Sequence, residues 1–236
     1  MSTGNAVPMA NVQEMHVVHT MFRREFGLTP ALVRGVADGD LARARVVAEH
    51  LDIMLSALIG HHEGEDIGLW PRLLERVSDE LVPLVHVMEA QHEQLHAVCG
   101  ELAGAVRAWR VGGSSAQGAA VAGITDRLNR IAFEHMRLEE ETILPPAERH
   151  ITAAEWAELG GHGTSMTPRD RLDPRFGMTL YEGDPVVMKG LLKGAPLRVR
   201  VLMPMRCRRR YRAYAKKLNG TARPPRVGRR VERPRG

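Results

Sequence analysis

Cysteine, aromatic residues and long apolar runs are all scarce in this sequence of 236 residues. The two cysteines, Cys99 and Cys207, lie far apart and in no spacing pattern, so we expect no disulfide framework and a reducing, cytoplasmic environment. No apolar run approaches the roughly 18 residues that a membrane-spanning helix requires. The first residues do not combine a basic flank with an apolar stretch, so we expect neither a signal peptide nor a membrane partner.

Aromatic residues make up only 4% of the chain, whereas 44% of its residues are hydrophobic. This apolar content is sufficient for one sizeable core. Ala, Leu, Val, Glu and Arg dominate, and this composition suits helices better than strands. The sequence therefore predicts an all-α protein.

Charge is distributed unevenly along the chain. Residues 189–236 contain 17 of the 33 lysines and arginines but only one acid, Glu232, which gives this segment a net charge of +16. Residues 1–188 contain 16 basic and 27 acidic residues, a net charge of −11. An acidic body thus carries a basic C-terminal segment, and the two parts need separate explanations.

Four long stretches have apolar residues at the three- and four-residue spacing of an amphipathic helix. The predicted helices span about 9–26, 39–76, 80–110 and 116–149. A flexible break is expected at GGSSAQG (112–118), and Pro71 and Pro145 should mark helix ends or kinks. We therefore predict an up-down four-helix bundle over residues 9–149, followed by a partly helical C-terminal extension over residues 150–236.

The second and fourth predicted helices contain the same motif, H-x3-E-[DE]-x4-P. It occurs as HHEGEDIGLWP (61–71) and as HMRLEEETILP (135–145), at an offset of 74 residues. On the first and third helices, His19 and His92 are separated by 73 residues. We interpret the bundle as two similar helix pairs.

Five histidines and two glutamates share the inward faces of these helices. They are His19, His61, Glu65, His92, His96, His135 and Glu139. Each polar group buried without a partner costs about 1–3 kcal/mol, so together they could cancel a typical stability of about 5–15 kcal/mol. Metal ions would satisfy them, because imidazole and carboxylate groups on facing helices can bind one cation. These donors suit iron or manganese and, less specifically, zinc, whereas the lack of cysteine ligands disfavours an iron–sulfur cluster.

Two carboxylates are the number needed to bridge two ions. His92, His96 and His135 would bind one ion, and His19 with His61 would bind the other, leaving a position where a small molecule can bind.

The register of these ligands stays open at two places. His62 and Asp66 form an alternative i, i+4 pair to His61 and Glu65, and Glu140 is an alternative to Glu139.

Four segments together resemble the hemerythrin family, specifically bacterial proteins with the HHE cation-binding domain: HTMFRREF, HHEGEDIGLWP, EAQHEQLHAVCGEL and HMRLEEETILPP. The resemblance covers roughly residues 9–149. It implies a four-helix bundle and a non-heme diiron centre held by the seven residues named above, with Glu65 and Glu139 bridging. It also implies oxygen binding at the iron of His19 and His61. The chain departs from many oxygen carriers, which use Asp at one residue greater spacing on the fourth helix and lack an extension.

The predicted function is the binding of oxygen or a related diatomic or redox ligand, in a carrier or a sensor. One alternative is a diiron redox enzyme that acts on peroxide or ferrous iron. A ferritin-like site would need E-x-x-H motifs on two helices, whereas the motifs at 89–92 and 93–96 lie on one predicted helix of this chain. A second alternative is a bundle with a purely structural metal.

The C-terminal extension offers fewer signals. We expect a short helix over 152–163, a turn-rich segment over 164–185, and further short helices that Pro196 and Pro204 interrupt. The basic end could pack against the acidic bundle, remain solvated, or bind nucleic acid or another polyanion.

Overall fold

The structure, a computed structural model, describes residues 7–165, 169–193 and 195–226. In these ranges the regular elements are helices, and one antiparallel bridge joins Met9 to Thr152. The α-helices are α1 Gln13–Arg34, α2 Leu41–Gly68, α3 Trp70–Arg76, α4 Val82–Gly112, α5 Ser115–Thr142, α6 Leu144–His150, α7 Ala153–Ser165, α8 Arg169–Glu182, α9 Pro185–Leu191 and α10 Leu197–Asn219, and a 3-10 turn covers Asp79–Leu81. The predicted all-α class is confirmed. None of the described helices is long and apolar enough to cross a membrane.

Helices α1, α2, α4 and α5 surround one apolar core, with α1 beside α2 and α5, and α4 beside the same two helices. The loops 35–40 and 113–114 are short, so the helices they join are antiparallel neighbours. Fully buried side chains such as Phe22, Leu51 and Leu102 fill this core. Each contributes roughly 1.5–3 kcal/mol on burial.

Helix α1 continues past the predicted end at residue 26 and includes Pro30. Proline has no backbone N–H, so the carbonyl of Phe26 loses its usual partner within the helix. The side-chain amide of Asn129 on α5 donates to this carbonyl at 3.1 Å. The neighbouring helix thus supplies the missing hydrogen bond, and α1 reaches Arg34.

The two predicted helices that carry the repeated motif each break near their proline. Helix α2 ends at Gly68 and α5 ends at Thr142, and α3 and α6 begin with Pro71 and Pro145 in their first turns. The residues at these breaks, Leu69 and Ile143, are buried in a second apolar cluster. This cluster is separate from the main core. Its members include Met15, Leu69, Trp70, Leu73, Met88, Ile143 and Leu144.

The expected break between the third and fourth helices is shorter than GGSSAQG. Gly113 adopts a left-handed conformation with φ 66° and ends α4. Ser114 and Gln117 form a capping box, so α5 begins at once with Ser115.

The C-terminal extension is more helical than the sequence suggested. Helix α8 covers much of the segment expected to be turn-rich, and α10 passes through Pro204 without a break. Helix α10 has a buried stripe at helical spacing, which favours an unbroken helix. The stripe consists of Pro204, Cys207, Tyr211, Ala215 and Leu218.

The extension packs on the bundle mainly through apolar groups. Met178, Tyr211, Ala215 and Leu218 join the main core beside α1 and α2. The nine arginines and lysines of α10 are exposed on its other face. One of them pairs with the bundle, Lys217 with Glu49 at 3.6 Å.

Candidate metal centre

Imidazoles and carboxylates from α1, α2, α4 and α5 meet between the two apolar clusters. They form two groups of possible ligands, and in each group the donor atoms lie within 4.8 Å of one another. The first group consists of His19, His61, Glu65 and Glu139. The second group consists of His62, Glu65, His92 and His135. The shared member, Glu65, makes this a single centre with two neighbouring positions for a cation.

Pairs of imidazoles face each other within each group. The Nε2 atoms of His19 and His61 are 3.2 Å apart, and those of His92 and His135 are 3.1 Å apart. Metal–nitrogen bonds of about 2.0–2.1 Å place two adjacent ligands of one ion about 3 Å apart. The spacing of both pairs is therefore suitable for binding a common cation.

The two buried glutamates span the groups. Glu65 Oε1 lies 3.3 Å from His61 Nε2, and its Oε2 lies 3.5 Å from His92 Nε2. Glu139 Oε2 lies 3.3 Å from His19 Nε2 and 3.9 Å from His135 Nε2. Each carboxylate thus contacts imidazoles of both groups, as a bridging ligand would.

Five polar atoms at the centre lack hydrogen bonds among the described residues. Within the described ranges, both carboxylate oxygens of Glu65, both of Glu139 and the Nε2 atom of His62 are buried without a hydrogen-bond partner. Leaving such groups unsatisfied costs about 1–3 kcal/mol each. Two bound cations would satisfy all five atoms, so the residues present fit a binuclear metal site.

Burial keeps three of the imidazoles in the neutral form that binds metals. It lowers the pKa of His61 and His62 well below the usual value, and it lowers the pKa of His135 to about 3. Their ring nitrogens therefore keep a free lone pair at neutral pH.

The two carboxylates have opposite pKa shifts. Burial, and then the charge of Glu139, raise the pKa of Glu65 well above its usual range. Burial also acts to raise the pKa of Glu139, but the charge of the nearby His19 outweighs it and lowers this pKa to about 2. For His19, burial acts to lower the pKa, but Glu139 and Glu140 together raise it. Cation binding would displace the protons that Glu65 and His19 hold.

A second layer of side chains orients the imidazoles. His92 Nδ1 lies 2.6 Å from Asp66 Oδ1, and His19 Nδ1 lies 3.0 Å from Glu140 Oε1. His135 Nδ1 lies 3.0 Å from the side-chain oxygen of Gln91. When Nδ1–H donates to these oxygens, the lone pair of Nε2 faces the centre.

The second acid of each repeated motif has the same task in both halves of the bundle. Asp66 follows Glu65 and contacts His92 of the other helix pair, and Glu140 follows Glu139 and contacts His19. The acid of each half therefore fixes a histidine of the other half. Sequence reasoning offered Asp66 and Glu140 only as alternative ligands, although the repeated E-[DE] pair was a signal for a shared role.

Six of the seven predicted ligands lie in the two groups: His19, His61, Glu65, His92, His135 and Glu139. The seventh, His96, is exposed and belongs to neither group in the part of the chain described. His62, which the sequence offered only as an alternative to His61, is buried and its ring stacks on that of His92 at 4.2 Å. Adjacent residues on a helix point about 100° apart, and two cation positions allow both His61 and His62 to face inward.

These features define a class: a four-helix bundle with buried His and Glu clusters that fit a binuclear metal site. Residues 10–147 match the hemerythrin HHE cation-binding domain. Because the match covers more than half of the chain, the protein belongs to this family. No curated protein and no solved structure matches the chain.

Proposed function

We propose that this protein is a non-heme diiron protein of the hemerythrin type. It binds oxygen or a related diatomic or redox ligand at an open iron position, as a carrier or a sensor. The observation that carries this proposal is the four unsatisfied oxygens of Glu65 and Glu139, which lie between two sets of imidazoles. Manganese or zinc would fit the same donors less well.

The two iron positions would have unequal sets of protein ligands. His62, His92 and His135 would bind one iron, and His19 and His61 would bind the other, while both glutamates bridge. We thus propose His62 for the role that the sequence gave to His96. Iron bound here would supply a redox-active cation with a free coordination position.

The position with two histidines has an apolar wall. The ring centroids of Phe22 and His61 are 5.3 Å apart, and those of the stacked rings of Phe22 and Phe26 are 6.1 Å apart. Both phenylalanines are fully buried. These side chains exclude water from this side of the centre and suit a small ligand with little charge.

A visible absorption spectrum tests the proposal. The metal-free protein is loaded with two equivalents of ferrous iron without oxygen, exposed to air and then returned to an oxygen-free atmosphere. We expect a band that appears with air and disappears without it. A band that persists would favour the alternative, a redox enzyme acting on peroxide or ferrous iron, and direct turnover assays with both substrates would then decide. Two bound ions with no band would favour a structural metal.

The exposed basic face of α10 supports an anionic partner for the extension, with nucleic acid as one candidate. The apolar stripe already attaches α10 to the bundle, so the positive charge is not needed for that packing.

The cytoplasmic location remains a prediction, and the thiols of Cys99 and Cys207 are both free and buried.

A further inference from the structure

A cavity of about 630 Å³ lies between α2 and α4, beside the second ligand group. Helix α2 contributes four of its lining residues and α4 contributes five. The lining residues are Ile59, His62, Glu63, Asp66, Glu89, His92, Glu93, His96 and Cys99. Two of them, His62 and His92, belong to the candidate metal centre, so the cavity reaches the ligands themselves.

The lining of this cavity is strongly negative. It includes four carboxylates, and no lysine or arginine is among the described residues that line it. A concave surface lined by one sign of charge concentrates ions of the opposite sign and raises their association rates. This lining suits a hydrated divalent cation better than an apolar gas molecule.

His62 connects the negative cavity to the centre. This residue is only 7% exposed, it lines the cavity, and its Nε2 atom has no hydrogen-bond partner among the described residues. A buried, neutral imidazole in this position can accept a cation from the cavity. The acidic lining therefore ends at an unsatisfied metal-binding atom.

His96 lies on the same wall, one helical turn from His92 and closer to solvent. Its imidazole can hold a cation briefly between the solvent and the centre. Cys99, one further turn along, is unsuited to this, because burial raises its pKa to about 12 and keeps the thiol protonated.

A second cavity does not reach the candidate ligands. This cavity of about 500 Å³ beside α1 and α5 is lined by Arg23, Arg24 and Arg137, and no carboxylate is among its described lining residues. Arg23 donates a hydrogen bond of 2.6 Å to Glu140, the same carboxylate that contacts His19. Arg24 and Arg137 are likewise paired with glutamates, and none of the candidate metal ligands is among the described residues that line this cavity.

We propose that the cavity between α2 and α4 is the path by which divalent cations reach the metal centre. Glu89 and Glu93 attract the cations, His96 binds them in transit, and His62 receives them. This inference rests on the proposed function, because it assumes that the two ligand groups bind metal.

The test uses the full-length metal-free protein and Co²⁺, which needs no exclusion of air and gives visible absorption when bound by nitrogen and oxygen donors. Stopped-flow absorption measures the loading rate, and elemental analysis measures the final cobalt content. The Glu89→Gln/Glu93→Gln variant removes two charges from the cavity. The Glu75→Gln/Glu148→Gln variant is the matched control, because it removes two exposed charges outside the cavity lining.

We expect the cavity variant to load about 10-fold more slowly than wild type at low ionic strength, with the same final content of two ions. The difference should shrink as salt is added, and the control should load at the wild-type rate. Equal rates in all three proteins, or equal slowing in both variants, would overturn the path. Failure of wild type to bind two ions would overturn the proposed function as well, so the two failures are distinguishable.

The His96→Ala variant separates a transit role from a ligand role. Slower loading to the same final content supports transit. Loss of one bound ion would instead make His96 a ligand of the centre and overturn its place on the path.

Discussion

Asp66 illustrates how a residue outside the ligand set controls the centre. Its carboxylate lies 2.6 Å from His92 Nδ1 and accepts a hydrogen bond of 2.8 Å from the Trp70 indole. The carboxylate fixes the orientation and tautomer of the ring, and the equivalent Glu140 acts on His19 in the same way.

We therefore expect Asp66→Asn to weaken metal binding by about 10- to 100-fold while the fold is retained. The amide keeps the shape of the side chain but loses its charge. Competition with a chelator of known affinity measures the effect, and circular dichroism checks the fold. Asp79→Asn, at an exposed position, is the control. Unchanged affinity in the Asp66 variant would show that this carboxylate does not tune His92.

At this scale, spacing predicts much of the site, but it does not rank neighbouring residues. The repeated motif placed Glu65 and Glu139 inward because the same i, i+4 relation occurs twice. It placed His96 inward and offered His62 only as an alternative to His61, whereas the structure places His62 and not His96 in the second ligand group. The choice depends on how far each helix is rotated about its axis, and that follows from how α2 and α4 pack against their neighbours in the bundle.

At the level of single elements, Pro30 and Asn129 form a pair that keeps α1 helical. The Asn129 side chain donates to the Phe26 carbonyl at the point where proline removes the normal donor. The residue that repairs the helix thus comes from α5. The apolar pattern ended the predicted helix at about residue 26, and no local pattern indicates the contact from α5 that carries the helix past Pro30.

The pair can be tested by a double-mutant cycle. Asn129→Ala should destabilise the protein by about 1–3 kcal/mol, because the buried Phe26 carbonyl loses its donor. In a Pro30→Ala background the same change should cost much less, since the alanine introduced there has a backbone N–H that donates to the Phe26 carbonyl. Urea denaturation measures all four proteins. An equal cost in both backgrounds would contradict the proposed role of Asn129.

The exposed face of α10 carries the charge that distinguishes the extension. Arg208, Arg209 and Arg212 are exposed there, and no ion pair of these three is seen among the described residues. If this face binds nucleic acid, changing all three to Gln should weaken binding to duplex DNA and reduce the slope of log K against log salt by up to about 3. Fluorescence anisotropy over a salt series provides both values.

A matched control removes three exposed arginines from the body of the protein: Arg45, Arg130 and Arg149. This control should bind DNA as wild type does. Equal losses of affinity in both triple variants would show that binding depends on net charge and not on this face. If wild type does not bind DNA at low salt, the face does not bind nucleic acid and is only solvated.

At the scale of the whole molecule, a buried polar network joins the extension to the bundle. Arg24 of α1 pairs with Glu25 and with Glu182 of α8, and it donates to the Tyr211 hydroxyl of α10. His50 of α2 lies next to this network. These contacts connect residues up to 187 positions apart in sequence. No local pattern reports such a contact, and so the sequence left the packing of the extension as one of three alternatives.

His50 makes the stability of this arrangement depend on pH. Its Nδ1 lies 2.8 Å from the Tyr214 hydroxyl, and its Nε2 lies 3.8 Å from Glu25. Burial, and to a lesser degree the charge of Arg24, lower the pKa of His50 to about 4, although a hydrogen bond to the backbone of Glu25 acts in the opposite direction. The folded protein therefore keeps His50 neutral at a pH where the unfolded chain, with a pKa near 6.5, already binds a proton.

The sign of the effect follows from this difference in proton binding. Stability rises with pH wherever the unfolded state binds more protons, so the contribution of neutral His50 is fully present above about pH 6.5 and declines as the pH falls toward 4. Arg24, Glu25 and Glu182 are retained in a His50→Gln variant. Burial raises the pKa of Glu25 to about 7, so this carboxyl titrates in a neighbouring pH range in both proteins. Subtracting the stability of the variant from wild type at each pH therefore leaves the histidine together with its coupling to Glu25.

We expect the difference in free energy of unfolding, wild type minus His50→Gln, to be constant above about pH 7. Between about pH 6.5 and pH 4 it should fall by up to about 1.4 kcal/mol per pH unit. Urea denaturation of the metal-free proteins across this range provides the values, and exposed His86→Gln serves as the control. A difference that stays flat down to about pH 4 would mean that His50 accepts a proton in the folded state. That outcome requires the contact between α2 and α10 to open. A charged imidazole that stayed buried beside Arg24 would cost the folded protein free energy, because it would be removed from water next to a like charge.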